Sequence, residues 1–221
     1  MIRDFHLSIS RTARYHTLGD SRPGIAQVWF VLHGYGQLAA RFLKDFEVLD
    51  DGTRLVVAPE GLSRFYLDSG NVGPHSERVG ASWMTREDRD GEIDDYIRFL
   101  DAVRAQVLAP LGASPPRVSV LGFSQGAATG ARWVAHSQGK PRLLVLWGGA
   151  LPPDVEPAQA PAAFQVTQVK LVSGSEDAYV DAVALDAQAR ALREHGVTCE
   201  RINYPGGHRI HGDVLRRLAE G

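Results

Sequence analysis

The chain has one cysteine, Cys199, in 221 residues, which excludes an internal disulfide framework and a cysteine-rich zinc site and suits a reducing compartment. It has no excess of either charge: 24 Lys and Arg face 26 Asp and Glu, so no overall basic character draws it to nucleic acid or to an anionic membrane surface. No apolar run approaches the roughly 18 residues of a membrane span, and Met1 to His6 lacks the apolar core of a signal peptide. The expectation is a cytoplasmic protein with no integral membrane association and no nucleic-acid partner. Internal repeats and low-complexity tracts are missing too. What is present is 44% hydrophobic residues, enough for a substantial core, and the length fits a single domain over 1–221.

The hydrophobic pattern alternates between strand and helix. Residues 5 to 18 alternate crudely through Phe5, Leu7, Ile9, Ala13, Tyr15 and Thr17, which predicts two antiparallel edge strands. Continuous apolar runs at 28–32, 55–58 and 143–147 predict strands buried on both faces, the β-branched and apolar stretches at 117–122 and 169–172 two more strands, and 198–204 a last one. Helical periodicity falls at 38–49, at 93–107 and at 180–194, with a terminal helix from about 210. Between them, 61–90 loses periodicity and is punctuated by Gly70, Gly73, Pro74 and Gly80, the mark of a functional loop or lid; Pro152, Pro153, Pro157 and Pro161 mark another loop. Strands alternating with helices imply a mostly parallel twisted sheet with helices on both faces and no large cap domain.

Within this pattern, Gly122-Phe123-Ser124-Gln125-Gly126 follows a strand and opens a helix, the setting of a G-x-S-x-G nucleophile elbow. A serine raised on so tight a turn occupies a crowded backbone conformation, and glycines two residues to either side remove the Cβ atoms that would collide. A lone serine hydroxyl is a weak nucleophile, so it needs a base and a group that orients the base. Asp177 and His208 follow Ser124 in that order, each just past a predicted strand end, where sites in parallel sheets lie. Glu176 and Asp181 are alternatives for the acid, and Asp177 has an ordinary reading as a helix N-cap. The oxyanion of an attacked carbonyl needs donors in place: the N–H after the nucleophile, on Gln125, and one from the loop after an earlier strand, on Tyr35. His33 is expected to brace that loop by hydrogen bonding.

Leu32-His33-Gly34-Tyr35-Gly36, Ala58-Pro59-Glu60-Gly61, Ser82-Trp83, the Gly122–Gly126 block, Gly174-Ser175-Glu176-Asp177 and Pro205-Gly206-Gly207-His208 together resemble the phospholipase/carboxylesterase family of small α/β-hydrolases. The resemblance covers roughly residues 28 to 218. It implies an α/β-hydrolase fold, a Ser124–His208–Asp177 triad, an oxyanion hole of the Tyr35 and Gln125 N–H groups, and hydrolysis of carboxylic esters, thioesters or lysophospholipids through an acyl-enzyme without metal or organic cofactor. The sequence differs from the thioesterase pattern at Gln37-Leu38-Ala39 and at Met84-Thr85-Arg86.

Phe65, Tyr66, Trp83, Met84 and Trp147 fall near the inferred site and are candidates to line an apolar acyl pocket, with core packing as the alternative for each. Two other readings compete. Gly34-x-Gly36-x-x-Ala39 after a strand, with Glu60 at the next strand end, fits a dinucleotide fingerprint and an NAD(P)-binding oxidoreductase, but leaves Ser124, Asp177 and His208 unexplained. The other is a non-catalytic binding protein on the same fold. Asp88-x-Asp90-Gly91 fails as a calcium loop because Arg86 and Ile97 occupy ligand positions, and His208 with His211 lacks the further ligands of a zinc site.

Overall fold

Successive residues of the central strands point to opposite faces, and on both faces they meet apolar partners. Val28, Phe30 and Leu32 enter one core while Trp29 and Val31 enter the other. The protein is described by a computed structural model over residues 1–67, 78–112, 115–155 and 164–221. Its strands are β1 Tyr15–Leu18, β2 Gln27–Leu32, β3 Arg54–Pro59, β4 Ser63–Tyr66, β5 Val79–Ser82, β6 Arg117–Phe123, β7 Leu143–Trp147, β8 Gln168–Gly174 and β9 Cys199–Tyr204. Among the described residues, seven of these form one sheet in the order β1-β3-β2-β6-β7-β8-β9. Every pair in it is parallel except β1 with β3.

The helices are α1 Ala39–Phe42, α2 Arg89–Leu108, α3 Gln125–His136, α4 Ala182–Glu194 and α5 Gly212–Glu220. Residues of α2, α3 and α4 close one core, and those of α1 and α5 the other. Small residues let α3 lie close on the sheet: a Cβ added at Gly126 would stand 2.2 Å from the Leu32 carbonyl oxygen. This contact seats the helix start, and Ser124 with it, above the ends of β2 and β6.

Three expectations need correction. Residues 5 to 18 make one strand, β1, and not two; 1–14 have no regular structure, and Phe5, Leu7 and Ile9 lie exposed. The alternation there is real, but the chain provides no apolar layer beneath it, and alternation alone does not hold a strand. The helix expected at 38–49 is one turn, α1, running into a 3-10 helix over Leu43–Leu49. Its buried residues Leu43, Phe46 and Leu49 recur every third position, and a 3-10 helix aligns such residues along one face. Within 61–90, β4 and β5 pair as a two-stranded sheet and α2 has already begun at Arg89. The rest of that loop reading, 68–77, lies outside the described residues, as do Pro157 and Pro161.

Candidate active site

The β6–α3 turn forces Ser124 to φ 55° and ψ −116°, a conformation that L residues rarely adopt. The turn holds because its neighbours lack side chains. A Cβ on Gly122 would stand 2.0 Å from the Gly126 carbonyl oxygen, so β6 and α3 can only approach this closely through glycine. The Ser124 N–H donates to the Trp147 carbonyl at 2.8 Å, which ties the turn to the end of β7. Its hydroxyl has no hydrogen-bond partner among the described residues.

Asp177 and His208 come together from loops after β8 and β9. Nδ1 of His208 lies 2.8 Å from Oδ2 of Asp177, and the Tyr179 N–H donates to Oδ1 at 3.0 Å. A carboxylate can only accept here, so Nδ1 carries a proton, and in the neutral ring Nε2 is the nitrogen with the free lone pair. The Asp177 side chain is almost wholly buried while His208 is partly open. The imidazole packs against two rings, Phe123 at 4.7 Å and Tyr179 at 4.9 Å between centroids. Its link to Ser124 runs through the loop after β7. A Cβ on Gly148 would stand 2.9 Å from Cε1 of His208, and one on Gly149 2.8 Å from the Ser124 carbonyl oxygen. The alternative acids are otherwise placed: Asp181 caps α4 through the Val183 and Ala184 N–H groups, and the Glu176 side chain is exposed.

The loop after β2 faces this turn; a Cβ on Gly34 would lie 3.1 Å from the Cβ of Ser124. The loop is held at each point. Gln37 accepts the Gly34 N–H through Oε1 at 2.8 Å and pairs through its backbone with Ala81, which also accepts the Gly36 N–H at 2.9 Å. The Tyr35 and Gln125 N–H groups have no acceptor among the described residues. His33 is fully buried: its Nε2 accepts the Gly61 N–H at 2.9 Å, so Nδ1 must donate to the Gly34 carbonyl at 2.8 Å. Burial pushes its pKa down against the opposing pull of the Gly34 carbonyl and Glu60, so the ring is a neutral brace.

Sequence reading missed the part played by the Gln125 side chain. Its Oε1 accepts the Trp83 N–H at 3.1 Å and its Nε2 donates to the Met84 carbonyl at 2.8 Å, joining the serine turn to the strand end at Ser82. No periodicity announces such a tie; the signal available was a polar side chain at the start of a helix that is apolar on its packed face. Tyr179, packed against His208, was missed as well, because an exposed aromatic in a loop has no pattern to report it.

The five candidate pocket residues separate. Phe65 packs on Tyr35 with ring centroids 5.1 Å apart and so lies beside the loop after β2, whereas Tyr66, next along the strand, faces away and is exposed. Met84 is half-buried, its sulfur 3.5 Å from Arg132. Trp83 is buried against His33, donating to the His33 carbonyl at 2.8 Å, and serves packing. Trp147 is fully buried in the core on the α5 side, its indole N–H shared between Tyr204 Oη and the Arg209 carbonyl. Glu60, the acid of the dinucleotide reading, is also buried. Burial alone would raise its pKa, but Arg14 at 2.7 Å and Arg64 at 3.2 Å hold it below the usual range. Both arginines bond Oε1, the Ala39 N–H reaches Oε2 at 3.3 Å, and the side chain is wholly buried, so it is not open to a ribose.

Among the described residues no group of His, Cys, Asp and Glu is placed to hold a metal ion, and no helix is long and apolar enough to cross a membrane. A family model described as Phospholipase/Carboxylesterase matches residues 21–220. The fold is that of esterase PE8, with a TM-score of 0.70 at 22% identity over 95% of this chain and 97% of that one. It is also that of Arabidopsis thaliana SOBER1, with a TM-score of 0.66 at 22% identity over 88% and 97%. Zea mays acyl-protein thioesterase 2 aligns with a TM-score of 0.67 at 18% identity over 95% and 97%. No curated protein matches the chain by sequence.

Proposed function

The chain belongs to the phospholipase/carboxylesterase family, and from that premise we propose that it is a serine hydrolase that cleaves carboxylic esters, and thioesters or lysophospholipids of related shape, through an acyl-enzyme. Ser124 attacks the carbonyl while Nε2 of His208 takes the hydroxyl proton. Asp177 keeps the imidazole in the tautomer that can do so and offsets its charge once protonated. The tetrahedral oxyanion is met by the Tyr35 and Gln125 N–H groups, which have no acceptor among the described residues. His208 then returns the proton to the leaving alcohol or thiol, and water, activated the same way, releases the acid. No step calls for a metal or organic cofactor, and the reading includes a cytoplasmic location, which the single cysteine supports.

The observation that carries this reading is the 2.8 Å bond between His208 and Asp177 at the rim that holds the strained Ser124. Phe65 and Met84 are the side chains we assign to the acyl-binding wall. The test is labelling by a serine-directed fluorophosphonate, combined with turnover of p-nitrophenyl esters of increasing chain length and of an acyl-thioester. Ser124→Ala should abolish labelling and lower kcat by about 10⁴ or more. A wild-type protein that neither labels nor turns over would return the chain to the class of non-catalytic binding proteins.

A further inference from the structure

The end of the sheet opposite Ser124 carries a cleft of about 500 Å³, where β6 and β7 begin. Arg104 from α2, Arg117 from the start of β6, and Lys140 and Arg142 from the loop before β7 all line it, and none of the described residues lining it is acidic. In a chain of net charge −2, four cations around one cleft are a local feature and not a reflection of composition.

Two of the four have structural work. Lys140 donates to the carbonyls of Val134, Ala135 and Ser137, closing the end of α3 where the helix dipole is negative; burial lowers its pKa against the opposing pull of nearby Asp101. Arg142 donates to the Gly221 carbonyl. The other two do not. Arg104 lies across Gly139, its Nε buried without a hydrogen-bond partner, and Arg117 has no acid partner among the described residues. Neither guanidinium is neutralised by an acid among the described residues. The remaining wall is apolar, with Leu108, Val118 and Val166.

From this arrangement we infer that the cleft is a binding site for an organic phosphate: an anionic group between Arg104 and Arg117, and an apolar body against Leu108, Val118 and Val166. Arginine forks match the geometry of phosphate oxygens, and the apolar wall selects against the bare ion. The seven residues of β6 separate this cleft from Ser124 by roughly 20 Å, so the inference is independent of the reaction proposed for the other rim.

Isothermal titration with phenyl phosphate in a low-salt buffer tests it, with inorganic phosphate as the comparison. Phenyl phosphate should bind the full chain more tightly than inorganic phosphate, and the affinity should fall as salt is added. Arg104→Gln and Arg117→Gln should each weaken it by about fivefold or more; Arg117 is exposed, so its variant should keep the wild-type Tm. Arg209→Gln, at the catalytic rim, should leave it unchanged. The proposal fails if no heat of binding appears up to about 5 mM. It fails equally if both cleft variants bind as the wild type does, if inorganic phosphate binds as tightly, or if Arg209→Gln removes the binding.

Discussion

The carboxylate of Asp177 accepts from both sides at once, from Nδ1 of His208 at 2.8 Å and from the Tyr179 N–H at 3.0 Å. The second bond fixes the plane of the carboxylate, and the first therefore fixes the plane of the imidazole. Replacing Asp177 by Asn keeps the shape but lets the amide donate to Nδ1, which stabilises the tautomer whose Nε2 carries a proton and cannot act as base. Asp177→Asn should lower kcat for p-nitrophenyl acetate by about 10⁴ with the fold intact by circular dichroism. A variant within tenfold of wild type would remove Asp177 from the reaction.

Gly148 offers a test that leaves every candidate catalytic residue in place. It has φ +61°, and an added Cβ would press on Cε1 of His208 at 2.9 Å. Gly148→Ala should therefore push the ring off its position against Phe123. Misplacement by about 1 Å is enough to cost roughly a hundredfold in rate. Backbone strain should also cost about 1–2 kcal/mol in urea unfolding. Full activity in this variant would mean that His208 does not need that position.

What was readable in the sequence follows from how locally each feature is encoded. The buried parallel strands announce themselves as continuous apolar runs, and Ser124 by the glycines its turn requires. Asp177 and His208 were found by chain order, since the loops after β8 and β9 meet only in three dimensions. The edge at 5–18 misled because alternation records a face without recording whether anything covers it. Trp83 and Trp147 misled for a related reason: proximity in sequence to a strand end does not say which way an indole points, and both point into cores. The ties made by Gln37 and Gln125 are single side chains reaching across loops, and nothing in a one-dimensional pattern distinguishes them from solvated glutamines.

His33 sets a pH dependence of stability distinct from any of activity. Burial holds its folded pKa below the ordinary 6.5, so the unfolded chain takes up a proton at a pH where the folded one does not. Its contribution is full above pH 6.5 and declines as the pH falls below that value. His33→Phe keeps the packing against Trp83 but orphans the Gly61 N–H and the Gly34 carbonyl, which should cost about 2–3 kcal/mol at pH 7.5. In urea unfolding the difference between wild type and variant should narrow from pH 7.5 to pH 5.5. A constant difference would mean that the folded ring protonates as readily as the unfolded one.

Arg132 and Asp154 should act on substrate binding more than on chemistry. Arg132 on α3 is buried and grips Asp154 with two bonds, at 2.7 and 2.8 Å, while Arg89 adds a third at 2.7 Å. Hydrogen bonds from Arg132 are the main reason the Asp154 carboxyl is held down to about 2. The pair's contribution is therefore complete above the ordinary value of 3.8 and disappears as the pH falls from there towards 2. Asp154→Asn leaves the Arg132 charge buried against a neutral partner. A third of Asp154 is open to solvent, which screens the pair, so the loss should be about 2 kcal/mol and below the range for a wholly buried pair. The gap between wild type and variant should close between pH 5 and pH 2 in unfolding experiments. Arg132 also touches the Met84 sulfur, and the Met84 carbonyl holds the Gln125 side chain, so loosening Arg132 reaches the proposed acyl wall at Met84 before it reaches His208. In steady-state kinetics with long-chain p-nitrophenyl esters, Asp154→Asn should raise KM several-fold, about 1 kcal/mol of binding, while kcat changes less than twofold. A fall in kcat at unchanged KM would place this ion pair in the service of the serine turn and not of the acyl wall.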